Sequence, residues 1–141
     1  MVAYVKYQIG TEVLAEAQDA GADSWKIILS NTAPNVGTHT TAASASELST
    51  SGGYTAGGVT ATVVSSAQTG GVYKLTLAAP ASPTWTASGG GFTFRYVILY
   101  NLTRTQCIGY WDYGSAVVMS GDNGDTFTPV LDAAGGTFTL T

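Results

Sequence analysis

The chain has 141 residues, five basic and nine acidic side chains, a formal net charge of −4 and 45% hydrophobic residues. Charged residues make up 10% of it, against about 25% in an ordinary soluble domain, and five scattered cations cannot displace counterions from a phosphate backbone, which excludes nucleic acid as a partner. The apolar content is too high for a disordered chain, and no apolar run approaches the roughly twenty residues of a membrane-spanning helix, so no membrane partner is expected.

The opening residues alternate, with Ala3, Val5, Tyr7 and Ile9 against Tyr4, Lys6 and Gln8, as in a half-buried strand. No basic stretch followed by an apolar run precedes them, so no secretory signal is expected, and the single Cys107 fits synthesis in a reducing cytoplasm. Thr11 can cap a short helix reaching Gln18 or Asp19, with Gly21 as its stop. Trp25 to Ser30 is a compact apolar run of strand length. From Asn31 to Gly58 periodicity disappears, and a connection that long is expected to be an extended arm, a binding loop or disorder. Because that stretch offers little apolar surface, removal of residues 38 to 51 is expected to leave the fold intact.

Strands then follow at short spacing. Val59 to Ser65 and Val72 to Ala78 flank a hairpin turn at Gln68-Thr69-Gly70-Gly71. A short strand surrounds Trp85. Phe92 to Asn101 is the clearest strand: Phe92, Phe94, Tyr96, Ile98 and Tyr100 share one face, and Thr93, Arg95, Val97 and Leu99 share the other. Cys107 to Tyr113 pairs with it across a turn at Leu102 to Thr105. Val117 to Met119, Thr126 to Leu131 and Thr137 to Thr141 complete the set. The expected fold is all-β: a single domain over 1–141, an antiparallel β-sandwich of jelly-roll-like form, with one short N-terminal helix and a long irregular arm or loop at 31–58.

No constellation for chemistry emerges, and neither an enzyme nor a cofactor is expected. His39 lies in a Thr/Ser-rich loop with no acid near it in sequence, so a nucleophile–histidine–carboxylate triad lacks its parts. One His and one Cys cannot supply the three or four ligands of zinc. Asp122-Asn123-Gly124-Asp125 has the sequence of a tight turn, with an oxygen-ligated cation at Asp122 and Asp125 as the alternative. Asn101-Leu102-Thr103 matches a glycosylation acceptor and reads better as a turn. The aromatics remain: Tyr54, Trp85, Trp111 and Tyr113 lie near predicted strand ends or turns, where core packing, a protein interface and stacking on sugars all suit them.

Four segments carry a resemblance when taken in order: Lys26-Ile27-Ile28-Leu29-Ser30-Asn31-Thr32-Ala33-Pro34, Gly53-Tyr54-Thr55-Ala56-Gly57-Gly58, Phe94-Arg95-Tyr96-Val97-Ile98-Leu99-Tyr100-Asn101, and Ile108-Gly109-Tyr110-Trp111-Asp112-Tyr113-Gly114. With the opening Lys6 to Glu12, the chain resembles a family of small virion structural proteins of tailed bacteriophages. The resemblance implies a virion component with no catalytic residues, and we expect a decoration (cement) protein on the outer capsid surface. Its expected partners are the major capsid protein of the shell and further copies of itself, as a trimer. The interface is expected to draw on the 31–58 segment, including His39 and Leu48, and on Tyr54, Trp85, Trp111 and Tyr113. The alternative is a tail or fibre module that binds receptor glycans through exposed aromatics.

Overall fold

The computed structural model describes residues 2–8, 20–78 and 80–140. The expected helix over 11–19 lies outside the described residues. The regular secondary structure of the described residues is almost wholly strand: β1 Tyr4–Lys6, β2 Trp25–Ser30, β3 Val59–Thr69, β4 Val72–Ala78, β5 Trp85–Thr86, β6 Phe92–Asn101, β7 Gln106–Met119, β8 Thr126–Phe127 and β9 Phe138–Leu140. Seven of them join in one antiparallel sheet of order β1-β7-β6-β2-β3-β4-β9, and β5 and β8 form a separate two-stranded ribbon. The β3–β4 hairpin turns at Gly70 and Gly71, with φ of 60° and 86°, the two consecutive positive values that a two-residue turn of type I′ requires.

The sheet is curled, so that one face turns inward. That face holds the main core: Trp25, Ile27 and Leu29 from β2, Leu75 and Leu77 from β4, and Phe92, Phe94, Val97 and Leu99 from β6, with Ile108 and Trp111 from β7. The β5–β8 ribbon is fixed to this core by aromatic contacts. Phe127 lies 4.6 Å from Phe94 and stacks on Trp85 at 5.8 Å between ring centroids.

The expected alternation of β6 is corrected at its middle. Phe92 and Phe94 face the inner core as predicted, but Tyr96 and Ile98 face outward and Val97 and Leu99 face inward. The register explains it. Phe94 pairs with Val117 while Tyr96 pairs with Asp112, so Arg95 alone opposes the four residues from Tyr113 to Ala116. Such a bulge inverts the alternation beyond it. The same bulge lets β7 run unbroken from Gln106 to Met119, where two separate strands were expected.

The outer face of β2, β6 and β7 is covered by the 31–58 segment. Val36, Ala42 and Ala45 pack over Ile28, Tyr96, Ile98 and Cys107. Backbone bonds hold it there: the Cys107 N–H donates to the Thr40 carbonyl (2.7 Å) and the Leu48 N–H to the Leu29 carbonyl (2.9 Å). The buried Ser30 hydroxyl reaches the carbonyls of Ala45 (2.8 Å) and Ser46 (2.9 Å). The segment is irregular, as expected, but it is a cover and not a free arm. The expectation that residues 38 to 51 are dispensable is therefore reversed, because their removal would strip an apolar sheet face.

Candidate interaction surface

The six candidate interface residues separate by burial. Tyr54, Trp85 and Trp111 are 1%, 4% and 7% exposed and belong to the inner core. They are corrected from rim anchors to packing residues. Tyr54 is also the centre of a buried polar knot: its hydroxyl donates to Glu47 Oε1 (2.7 Å) and accepts the Leu29 N–H (3.2 Å). Glu47 Oε1 also accepts the Gly57 N–H (2.6 Å). Burial, the largest cause, pushes the Tyr54 hydroxyl far above the usual phenol range. The turn that buries Tyr54 needs glycine, since Cβ atoms at Gly52 and Gly53 would strike the carbonyls of Gly91 and Thr86. Leu48 is half-buried against the same core. His39 is half-buried in a local turn, where its Nδ1 accepts the Asn35 N–H (3.2 Å) and its own N–H reaches the Asn35 carbonyl (2.9 Å). Tyr113 is half-buried, edge-on to Phe94 and Phe127.

The polar candidates resolve into local structure. Among the described residues no three His, Cys, Asp or Glu side chains converge to hold a metal ion. Asp122 to Asp125 forms a turn, in which the Gly124 N–H donates to the Gly121 carbonyl (3.2 Å) and Asp125 Oδ2 accepts the Ser120 N–H (2.8 Å). Asn101 is 1% exposed and its amide donates to Asp23 (2.8 Å), so it offers no acceptor nitrogen at the surface. The Cys107 thiol is buried and pushed up to about 12, chiefly by that burial and then by Glu47; a thiol so protonated is a packing group. Arg95 and Asp112 make a bidentate pair at 2.8 and 2.9 Å across the β6–β7 bulge. Arg95, followed by the Gly114 N–H, holds the Asp112 carboxyl below its usual range.

The apolar surface lies elsewhere. Val130 and Val64 are 68% and 63% exposed. Val64 is pushed out by a bulge between Val63 and Ser65 in β3. Residues 129–131 were expected to prolong a strand, but β8 ends at Phe127, as the missing N–H of Pro129 favours. They instead form a strap with an apolar hollow on each side. One, of about 350 Å³, is lined by Val2, Val97, Trp111 and Tyr113. The other, of about 510 Å³, is lined by Val64, Thr76, Leu77 and Ala78 and by Lys74, whose ammonium is engaged by the Ala134 carbonyl (2.7 Å). Thus Tyr113 and part of Trp111 do border an apolar surface, together with Val64 and the strap, which sequence reasoning missed. Its sequence signal was Pro129-Val130-Leu131, a short apolar run opened by a strand breaker. Searches against protein-family models, curated proteins and solved structures returned no match.

Proposed function

We propose that this chain is a virion structural protein that decorates the outer surface of a tailed-phage capsid, binding the major capsid protein and other copies of itself, as a homotrimer, without doing chemistry. In this reading the two halves of the curled sheet serve as a jelly-roll-like sandwich, a rigid mount for the surface it presents. The observation that carries the proposal is the largely apolar surface around Val64, Val130 and Leu131, whose lining cation Lys74 is engaged by the Ala134 carbonyl, on a scaffold with little charge to desolvate. Apolar surface of this kind, poor in charge, marks protein contact sites. Repetition over many shell sites turns a modest contact into a large summed stabilisation. The glycan-binding alternative is weaker here, because three of the four aromatics it would use, Tyr54, Trp85 and Trp111, are buried in the core.

The test is a comparison of purified particles lacking the protein with particles to which it has been added back. Added protein should bind the shell and raise the temperature at which DNA is released, and Val130→Asp should remove both effects. Equal release temperatures, with the protein bound instead to host cells or glycans, would establish the tail-module reading.

A further inference from the structure

Strands β1 and β9 are the two ends of the sheet, and among the described residues each is paired on one side only, to β7 and β4 respectively. The curl brings these ends to a common seam. A cavity of about 350 Å³ is lined by Tyr4 and Lys6 on one side and by Gly136, Thr137, Phe138 and Thr139 on the other. Every adjacent pair in the sheet is antiparallel. Direction therefore alternates along the order, and with seven strands β1 and β9 point the same way. They cannot close on each other as an antiparallel pair. One more strand, running opposite to both, would satisfy both edges and complete an antiparallel barrel, whose strand number must be even. We propose that the seam between β1 and β9 receives an extended segment of another polypeptide, inserted antiparallel to both edges through main-chain hydrogen bonds.

Local geometry supplies the groups. The Tyr7 N–H donates to the Ile108 carbonyl (3.0 Å), which in the β1–β7 register makes Val5 the other hydrogen-bonded position. The N–H and C=O groups of Tyr4 and Lys6 then point into the seam. Gly135 and Gly136 line the far side, with the side chains of Asp132 and Lys74 packed against them. The charges there are largely committed: Asp132 Oδ1 accepts the N–H groups of Ala134 (2.9 Å) and Gly135 (2.7 Å), and Lys74 is held by Ala134. Lys6 is exposed and has no ion-pair partner among the described residues. It favours a strand carrying a carboxylate opposite it. A second copy fits poorly, because each strand among its described residues is already paired on at least one side and so cannot enter between two edges. The assignment goes beyond the shell reading and holds for any structure to which the donor strand belongs.

The probe is a set of synthetic eight-residue peptides alternating Val or Ala with Thr around one central Asp, beside the same peptides with Lys for Asp. Amide hydrogen exchange is followed on the full-length protein. The Asp peptides should slow exchange at Tyr4, Lys6 and 138–140 together, by roughly tenfold at saturation, and bind roughly two- to fivefold tighter than the Lys peptides. Lys6→Pro removes an outward N–H while sparing the bonds to β7, and should abolish the protection. Lys6→Gln should keep binding and lose the preference for Asp. Protection at one edge only, at neither edge, or unchanged in Lys6→Pro would overturn the proposal. Protection that grows with protein concentration without peptide, together with dimers in sedimentation, would overturn it in favour of self-pairing.

Discussion

The inner and outer faces of β6 are covered by different means. On the inner face Phe92, Phe94, Val97 and Leu99 meet the other strands and the β5–β8 ribbon. On the outer face Tyr96 and Ile98 meet a loop of small residues. The inner cover is held by its own large side chains, whose burial is worth about 1.5–3 kcal/mol each. The outer cover has few apolar atoms to contribute, so it is held by hydrogen bonds: Thr40 to Cys107, Leu29 to Leu48, and Ser30 to Ala45 and Ser46. A chain with little charge can build a cover from Thr, Ser, Ala and Gly only if the backbone supplies the attachment.

The largest effect should come from removing the outer cover altogether. Deletion of residues 38–51 takes away Ala45, Glu47 and the Thr40 carbonyl and exposes Ile28, Tyr96, Ile98 and Cys107. The expected outcome is loss of a cooperative unfolding transition and strong binding of a hydrophobic dye, with strand content retained. A transition within about 1 kcal/mol of the intact protein would show that the loop is an appendage. Next is the inner face, where Phe94→Ala should cost about 3–5 kcal/mol in denaturant unfolding, because Phe94 is fully buried against Phe127. A cost below about 1 kcal/mol would mean that the aromatic cluster does not fix the inner cover.

A smaller effect separates polar attachment from packing. Tyr54→Phe keeps the ring in the inner core and removes the hydroxyl that joins Glu47 of the loop to the Leu29 N–H. It should cost about 1–3 kcal/mol, the penalty of leaving a buried N–H unpaired. Glu47→Ala should match it within about 0.5 kcal/mol, and the double variant should cost less than the sum. Full additivity in that cycle would show that the two side chains act separately.

The contrast also explains how much can be read from sequence. Trp25–Ser30, Val72–Ala78 and Phe92–Asn101 are legible to the residue, because continuous or alternating apolar runs report burial directly and Gly70-Gly71 reports the turn. The phase inversion at Arg95 is not legible. It depends on four residues of β7 lying opposite one of β6, and Gly114 is the only local sign. The loop reads as an arm because its own side of the attachment is made largely by backbone groups, the Thr40, Ala45 and Ser46 carbonyls and the Leu48 N–H, which no side chain announces. For the same reason Tyr54 and Trp85 read as rim aromatics: what buries them is the close approach of Gly52 and Gly53 to distant backbone. The apolar strap is hidden in a run that Pro129 prevents from pairing, and the seam follows from strand count and direction, which belong to the whole sheet.

The smallest expected effect tests the one charged tie between β6 and β7. Arg95 and Asp112 bridge the bulge that inverts the alternation. Both are well exposed, so solvent and salt screen the pair. Asp112 is held below its usual carboxylate range by Arg95 in the folded chain, so the folded state binds its proton less readily than the unfolded state. Its contribution is therefore present above the ordinary carboxylate range and lost as pH falls through the lower folded value. Asp112→Asn should lower the denaturant midpoint slightly at about pH 6, and the difference from the unaltered protein should shrink towards about pH 3 and in high salt. Equal midpoints at both pH values would assign the bulge to backbone geometry at Gly114 alone. A difference that widened on acidification would reverse the sign and exclude the ion pair as its source.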